Sequence, residues 1–134
     1  MDTGEVGDMT DPASLIGLTL EALYVQFGVP EAVYAVRGLE AWQDDVVFVY
    51  DRGDFYVYKN RVWQLGVKNA YGIALGEKRP AVSLLAGEDA QDFEDYILVA
   101  LPSRGWPLML RINFDGSTVT NATVSAIFIY RPDF

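Results

Sequence analysis

The sequence predicts an α+β fold: an antiparallel sheet with helices packed on one face. Three observations support this fold class: short runs rich in β-branched and aromatic residues, two helix-like segments that each end at a glycine, and turn signals between neighbouring strand-like runs. One helix followed by three strands occurs twice, which predicts two tandem α-β-β-β repeats, at about residues 14–69 and 70–134. Residues 1–13 show no apolar period and are predicted to be disordered, which leaves a single domain over 14–134.

The first helix is predicted between Thr19 and Gly28. Thr19 is a residue type that caps helix N-termini, and Leu20, Leu23 and Phe27 have the spacing of one helix face. Gly28 ends the helix because glycine readily adopts the left-handed backbone of a C-terminal cap.

A three-stranded meander is predicted after this helix. The strands are short β-rich runs at residues 46–50, 55–58 and 61–67, separated by polar turn residues. Residues 29–38, between the helix and the meander, fit either a second short helix or an extended segment. A hairpin turn at Arg52 and Gly53 would place Val49 opposite Tyr56.

The second half of the chain predicts the same order of elements. Pro80 suits a first helical turn and Gly87 ends that helix, and three strands follow at residues 96–101, 108–114 and 118–130. Asp115 and Gly116 form the strongest hairpin signal of the chain. A shift of 59 residues superposes Gly17 on Gly76 and Gly28 on Gly87. The alternative is chance recurrence of glycine.

Composition restricts the function of the chain. The net charge is −9, which repels phosphate backbones. We therefore predict that the protein does not bind nucleic acid. No apolar run is long enough for a transmembrane segment. The chain has no histidine, which is the commonest general base and metal ligand, and no cysteine, which supplies thiolate nucleophiles and most structural zinc ligands. We therefore predict that the protein is not an enzyme and holds no metal or cofactor.

The candidate partner-binding surface is one face of the first meander. Strand alternation and a turn at Lys59 and Asn60 place Tyr56, Tyr58, Trp63 and Leu65 on that face, with Arg61 at its rim. A helix layer covers only one face of a sheet, so the other face is available to a partner. Tyrosine, tryptophan and arginine are enriched at interface hot spots, which adds Trp42 and Trp106 as candidates. The alternative is that the helices cover this face.

The stretch from Ile16 to Pro30 carries a family resemblance. Through Gly17, Thr19, Gly28 and Pro30 it resembles the G-x-T…G-x-P signature of the SmpA/OmlA (BamE-like) envelope proteins and of the related β-lactamase-inhibitor-protein-like tandem-repeat fold. The resemblance implies noncatalytic binding of another protein through an aromatic-rich sheet face, in a bacterial envelope. The chain shows no export signal or lipid-anchoring cysteine, so we expect the cytoplasm if it is complete and the periplasm if a leader was removed.

Three functions remain at the level of sequence. The leading hypothesis is a protein-binding module; the first rival is a carrier of a small ligand or lipid, with the same aromatic residues lining an enclosed pocket. The second rival is a hydrolase that uses two carboxylates about 5–10 Å apart in a cleft. The candidate carboxylates for that chemistry are Asp44, Asp45, Asp51 and Asp54.

Overall fold

The computed structural model describes residues 11–36, 45–116, 118 and 121–133, so most of the segment predicted to be disordered lies outside the described residues. The helical elements are a 3₁₀ helix (Pro12–Leu15), α1 (Leu20–Phe27) and α2 (Arg79–Ala86). The first six strands are β1 (Ala32–Val36), β2 (Asp45–Tyr50), β3 (Gly53–Tyr58), β4 (Arg61–Val67), β5 (Asn69–Ala70) and β6 (Ile73–Ala74). The remaining strands are β7 (Gln91–Asp92), β8 (Tyr96–Leu101), β9 (Leu108–Asp115) and β10 (Thr123–Tyr130).

One antiparallel sheet of eight strands organises the described residues. Its strand order is β1-β2-β3-β4-β10-β9-β8-β7, and β5 and β6 form a separate two-stranded hairpin. The two halves of the chain meet where β4 pairs with β10, with Leu65 opposite Ile129 and Val67 opposite Ile127. The sheet is therefore continuous from the first half of the chain to the second.

The predicted fold class is wrong, because the sheet dominates the structure and no layer of helices covers it in the part of the chain that the structure describes. The two α-helices there have eight residues each, which makes each of them about 12 Å long. Eight strands about 4.8 Å apart span about 34 Å. Non-helical segments therefore form much of the cover, and Ile16, Leu18 and Ile73 are buried in it.

The prediction of two tandem α-β-β-β repeats is also wrong in its strand count. Four strands of the large sheet follow each helix, β1 to β4 after α1 and β7 to β10 after α2. The strand β1 lies in the segment that fitted either a helix or an extended chain. The strand β7 has two residues, too few to show an alternating apolar pattern.

Both predicted helices are present, with the expected ends. The Thr19 Oγ1 atom accepts a hydrogen bond from the Ala22 N–H at 3.1 Å, which caps α1. Gly28 and Gly87 follow α1 and α2 with φ of +80° and +85°, in the left-handed region that glycine adopts without strain.

The core lies on one side of the sheet, here called the covered face. Phe55 of β3, Leu65 of β4 and Ile129 of β10 are fully buried there. Leu15 of the 3₁₀ helix and Leu23 of α1 belong to the same cluster. Full burial of one such side chain stabilises the fold by about 1.5–3 kcal/mol, so this face supplies most of the stability.

One arginine is buried at the start of α2. Arg79 is 5% exposed, and its guanidinium lies 4.7 Å from the centre of the Phe114 ring. Its Nη1 atom donates to the Glu94 carbonyl oxygen at 2.8 Å, and Nη2 donates to the carbonyl oxygen of Phe93. Arg79 thereby ties the segment between β7 and β8 to α2.

Candidate functional site

The opposite side of the sheet, here called the open face, carries a row of side chains that crosses seven strands. Each member of the row is the register partner of the next, from β8 to β1. The row consists of Ala100, Met109, Tyr130, Gln64, Tyr56, Val47 and Tyr34. Residues directly opposite each other in a sheet share a face, so these side chains all lie on the same side of the sheet.

Tyr56 lies near the middle of this row and contacts two further aromatic rings. Its ring centre is 6.4 Å from that of Trp63 and 6.3 Å from that of Phe128, both in edge-to-face geometry. Aromatic pairs with this geometry contribute about 0.5–1.5 kcal/mol beyond the area they bury. The Trp63 Nε1 atom donates to Asp45 Oδ1 at 3.1 Å, which fixes the indole.

The phenol of Tyr56 stays protonated at neutral pH. Partial burial raises its pKa above the ordinary value of 10.0, and the nearby Tyr34 hydroxyl and Asp54 carboxylate raise it further. A phenol with a raised pKa is a poor general base. It can still donate a hydrogen bond to a partner.

A β-bulge in β4 sets the position of Trp63. Val57 pairs with Val62 as expected, but Tyr56 pairs with Gln64, so Trp63 has no register partner on β3. The extra residue moves Leu65 to the covered face, where it is fully buried. The prediction that Leu65 shares a face with Tyr56 is therefore wrong.

The turn between β2 and β3 differs from the predicted turn. It lies at Asp51 and Arg52, so Tyr56 pairs with Val47 and not with Val49. A register change of two residues leaves each side chain on its original face, because side chains alternate with a period of two. Tyr56 and Tyr58 are therefore on one face, as predicted, although the predicted pairs are wrong.

Tyr58, Trp63 and Arg61 lie near the end of the β3–β4 hairpin. Tyr58 and Trp63 are half-buried, and the Lys59 ammonium is 5.4 Å from the centre of the Tyr58 ring. The exposed residue Arg61 donates from Nη1 to the Gly17 carbonyl oxygen at 2.9 Å. Arg61 thus lies at the rim and also anchors the segment before α1.

The two remaining candidates do not join this group. Trp106 packs against the buried core, above Gly17, with the Arg131 guanidinium 4.5 Å from its ring centre. Among the described residues its Nε1 atom has no hydrogen-bond partner. Trp42 lies outside the described residues.

The second half of the chain extends the open face with residues that were not among the candidates predicted from the sequence. The Arg111 guanidinium is 3.8 Å from the centre of the Tyr96 ring, and its Nε atom donates to Asn113 Oδ1 at 2.7 Å. Phe93 stacks on Tyr96 with ring centres 4.6 Å apart. The signal in the sequence was the alternation within the last two strands, in which Met109, Arg111, Phe128 and Tyr130 fall on one face.

The aromatic rings of the open face are partly exposed to solvent. Tyr34 is 45% exposed, and Tyr56, Phe128 and Tyr130 are half-buried. Val47, between Tyr34 and Tyr56 in the row, is fully buried. The described helices pack into the core on the covered face, so these helices do not cover Tyr56 or Trp63, contrary to the alternative drawn from the sequence.

Three clefts lined by described residues have volumes of about 240, 290 and 230 Å³. Their walls do not include Tyr56, Tyr58 or Trp63. The cleft of about 290 Å³ lies beside Asp51 and Lys68. The enclosed aromatic pocket that a carrier would need therefore does not coincide with any of these three clefts.

The carboxyl groups of Glu31 and Asp51 lie close together on the exposed surface. Their side chains share a hydrogen bond, and this bond, with the charge of Asp51, raises the pKa of Glu31 above its ordinary value. Among the acids predicted for hydrolysis, Asp44 lies outside the described residues and Asp45 accepts from Trp63. Within the described ranges, no three acidic side chains converge as a metal site would require.

No protein-family model matches the chain, and no curated protein matches it. A solved structure that it resembles is the crystal structure of an extracellular protein containing a SCP domain from Bacillus anthracis str. Ames, at 15% sequence identity and a TM-score of 0.56. The match covers 99% of this chain and 49% of that chain. The chain thus spans about half the length of that protein, and the likeness concerns the fold alone. No described helix has the length and hydropathy to cross a membrane.

Proposed function

We propose that the protein is a noncatalytic protein-binding module that presents its open face to a partner protein. One observation carries the proposal: Tyr34, Tyr56 and Tyr130, all partly exposed, lie in one row of register partners on the face opposite the core. The rings of Trp63 and Phe128 adjoin Tyr56 in that row. Tyr56, Tyr58 and Trp63 are the central contacts and Arg61 lies at the rim. The described part of the chain contributes no second layer over them.

The dimensions of the open face suit a protein partner. Seven strands about 4.8 Å apart give a width of about 29 Å, and six residues of strand give a length of about 20 Å. A typical interface buries about 800 Å² of each partner. The open face therefore accommodates an interface at the lower end of the usual size range.

Aromatic side chains supply the binding energy in this proposal. Each ring buries about 150–250 Å² when it is fully desolvated, with little loss of conformational entropy. The rings of Tyr56 and Trp63 are already held by edge-to-face contact and by the bond to Asp45, so a partner meets a preorganised surface. Both features favour an interface hot spot at this position.

The resemblance to SmpA/OmlA envelope proteins supports the same function, because those proteins bind other proteins. The structural neighbour is described as extracellular, and we extend that location to this chain as part of the proposal. The module would then act outside the cytoplasm.

Site-specific photo-crosslinking tests the proposed function. A photoreactive phenylalanine analogue replaces Tyr58 on the open face in one variant and Leu84 in another. Leu84 is 86% exposed on α2, so it controls for nonspecific capture by an exposed apolar residue. We expect one protein to be captured at position 58 and not at position 84, and its affinity for the purified module to fall at least tenfold in Trp63→Ala.

The opposite results reject the proposal. Equal capture at positions 58 and 84, or unchanged affinity in Trp63→Ala and Tyr56→Ala, would show that the open face is not the contact surface. A bound lipid in mass spectrometry of the purified protein, lost in Trp63→Ala, would instead favour the carrier function.

A further inference from the structure

The two edges of the sheet differ in their protection against pairing with another strand. The edge strand β7 has two residues, Gln91–Asp92, and acidic residues including Asp89 and Glu94 lie close by in sequence. Short, charged edges of this kind are a common protection against strand addition. The edge strand β1 has five residues, Ala32–Val36, and none of them is charged.

The strand β1 is exposed and lies at an edge of the sheet that the described strands form. Four of its five residues are exposed, including Val33 at 50% and Tyr34 at 45%. Its inner side pairs with β2 over all five residues, from Ala32 opposite Val49 to Val36 opposite Asp45. Among the described strands none pairs with its outer side. Every second residue of an edge strand directs its backbone N–H and C=O groups outward, where an extended chain can bind them.

Acidic groups lie at both ends of β1. Glu31 directly precedes the strand and donates its N–H to the Val49 carbonyl oxygen at 2.8 Å, beside the exposed Asp51 that follows β2. The Asp51 side chain is close enough to raise the pKa of Glu31. Asp45 lies opposite the last residue of the strand. Lys68 is a cation close enough to act on Glu31. Neighbouring acidic groups attract a further lysine or arginine, because a nearby cation favours their ionised forms.

We propose that β1 binds an extended segment of a partner protein, which adds to the sheet as an antiparallel strand and carries lysine or arginine beside Glu31 and Asp51. The net charge of −9 disfavours a second copy of this chain as the occupant, since two such molecules repel each other. The inference is independent of the proposed function, because the backbone of β1 and not the open face makes the contacts.

A synthetic peptide tests the strand addition. The probe is the capped peptide Lys-Val-Thr-Val-Thr-Val-Lys, and its charge-reversed partner has glutamate in place of both lysines. Amide NMR spectra of the full chain are recorded during titration with each peptide. We expect shifts and slowed amide exchange at residues 32–36 and not at residues 91–92, with the glutamate peptide binding about fivefold more weakly.

Two N-methylated forms of the lysine peptide separate backbone pairing from side-chain contact. A strand presents alternate N–H groups to its two sides, so methylation of one alternate set blocks pairing with β1 and methylation of the other set does not. We expect one form to lose binding and the other to keep it. Equal binding of both forms, or no change at residues 32–36 with any peptide, overturns the proposal.

Two protein variants identify the charge partner. In Glu31→Gln/Asp51→Asn the preference for the lysine peptide should disappear, whereas the matched control Glu88→Gln/Asp89→Asn should keep it. Trp63→Ala should bind the peptide as the wild type does; peptide-induced shifts confined to the open face would overturn this inference and leave the proposed function intact. A dimer without peptide that Val33→Lys dissociates would make a second copy the occupant and also overturn it.

Discussion

The indole ring of Trp106 occupies the space that a Cβ atom on Gly17 would need. Gly17 also has φ of +97°, a backbone conformation that residues with a side chain rarely adopt. The same glycine donates its N–H to the Val62 carbonyl oxygen at 2.7 Å and accepts from Arg61 at 2.9 Å. Gly17 thus joins the segment before α1 to both Trp106 and β4.

Substitution of Gly17 by alanine should destabilise the fold through strain and steric overlap together. We expect Gly17→Ala to cost about 2–4 kcal/mol in the free energy of unfolding by urea. Gly76→Ala is the matched control, because Gly76 has a similar φ of +87° and a Cβ added to it would meet no atom within 4 Å. That control should cost about 1 kcal/mol. Equal losses in the two variants would contradict the role of Trp106.

Replacement of two aromatic residues of β3, Phe55 and Tyr58, by alanine should lower stability by different amounts. Phe55 is fully buried on the covered face, so Phe55→Ala should cost about 3–5 kcal/mol. Tyr58 is half-buried on the open face, and Tyr58→Ala should cost less than about 1 kcal/mol. Thermal and urea unfolding of both variants measure this difference. A large loss in Tyr58→Ala would place that ring in the core.

Arg79 should not tolerate lysine. The planar guanidinium donates to the carbonyl oxygens of Phe93 and Glu94 together, and a single ammonium group does not reproduce that geometry. We expect Arg79→Lys to cost about 2–3 kcal/mol and to speed amide exchange between β7 and β8. Arg104→Lys is the control, because Arg104 forms an exposed ion pair with Asp11 and should change stability by less than about 0.5 kcal/mol. Equal effects would show that Arg79 does not hold the β7–β8 segment on α2.

Alkaline pH should destabilise the fold partly through Tyr56. Its pKa in the folded protein is above the ordinary value of 10.0, chiefly because the ring is partly buried. The folded state therefore holds the proton more tightly than the unfolded state, so this stabilisation is complete below pH 10 and is lost as the pH rises through the folded pKa. Tyr56→Phe should make the decline of unfolding free energy above pH 10 less steep. An identical slope in the variant would contradict the assignment.

The ends of the helices and the sheet face on which a side chain lies were predicted more accurately from the sequence than the packing of helices on the sheet. The ends of α1 and α2 follow from Thr19, Gly28 and Gly87, whose effects act within a few residues. The face of Tyr56 was predicted correctly despite a wrong hairpin register, because the error was two residues. The face of Leu65 was predicted wrongly, because a one-residue bulge at Trp63 reverses the alternation of side chains. No residue type in β4 indicates such a bulge.

The remaining errors concern contacts between distant parts of the chain. The packing of Trp106 on Gly17 joins residues that no local pattern connects. The extent of the open face depended on the pairing of β4 with β10, which brings Phe128 beside Tyr56. The area of sheet covered by helices was overestimated, because capping and spacing patterns predict that a helix is present. They do not predict how much of the sheet a helix of two turns covers.

The central position of β10 has a consequence for the order of assembly. This strand follows all other described strands in the sequence, yet it lies between β4 and β9 and joins the two halves. A chain emerging from the ribosome can form the β1–β4 meander early, but β4 lacks its partner strand until β10 is synthesised. Until then, that edge is open to incorrect pairing, and nascent chains that stall before β10 should be prone to aggregation.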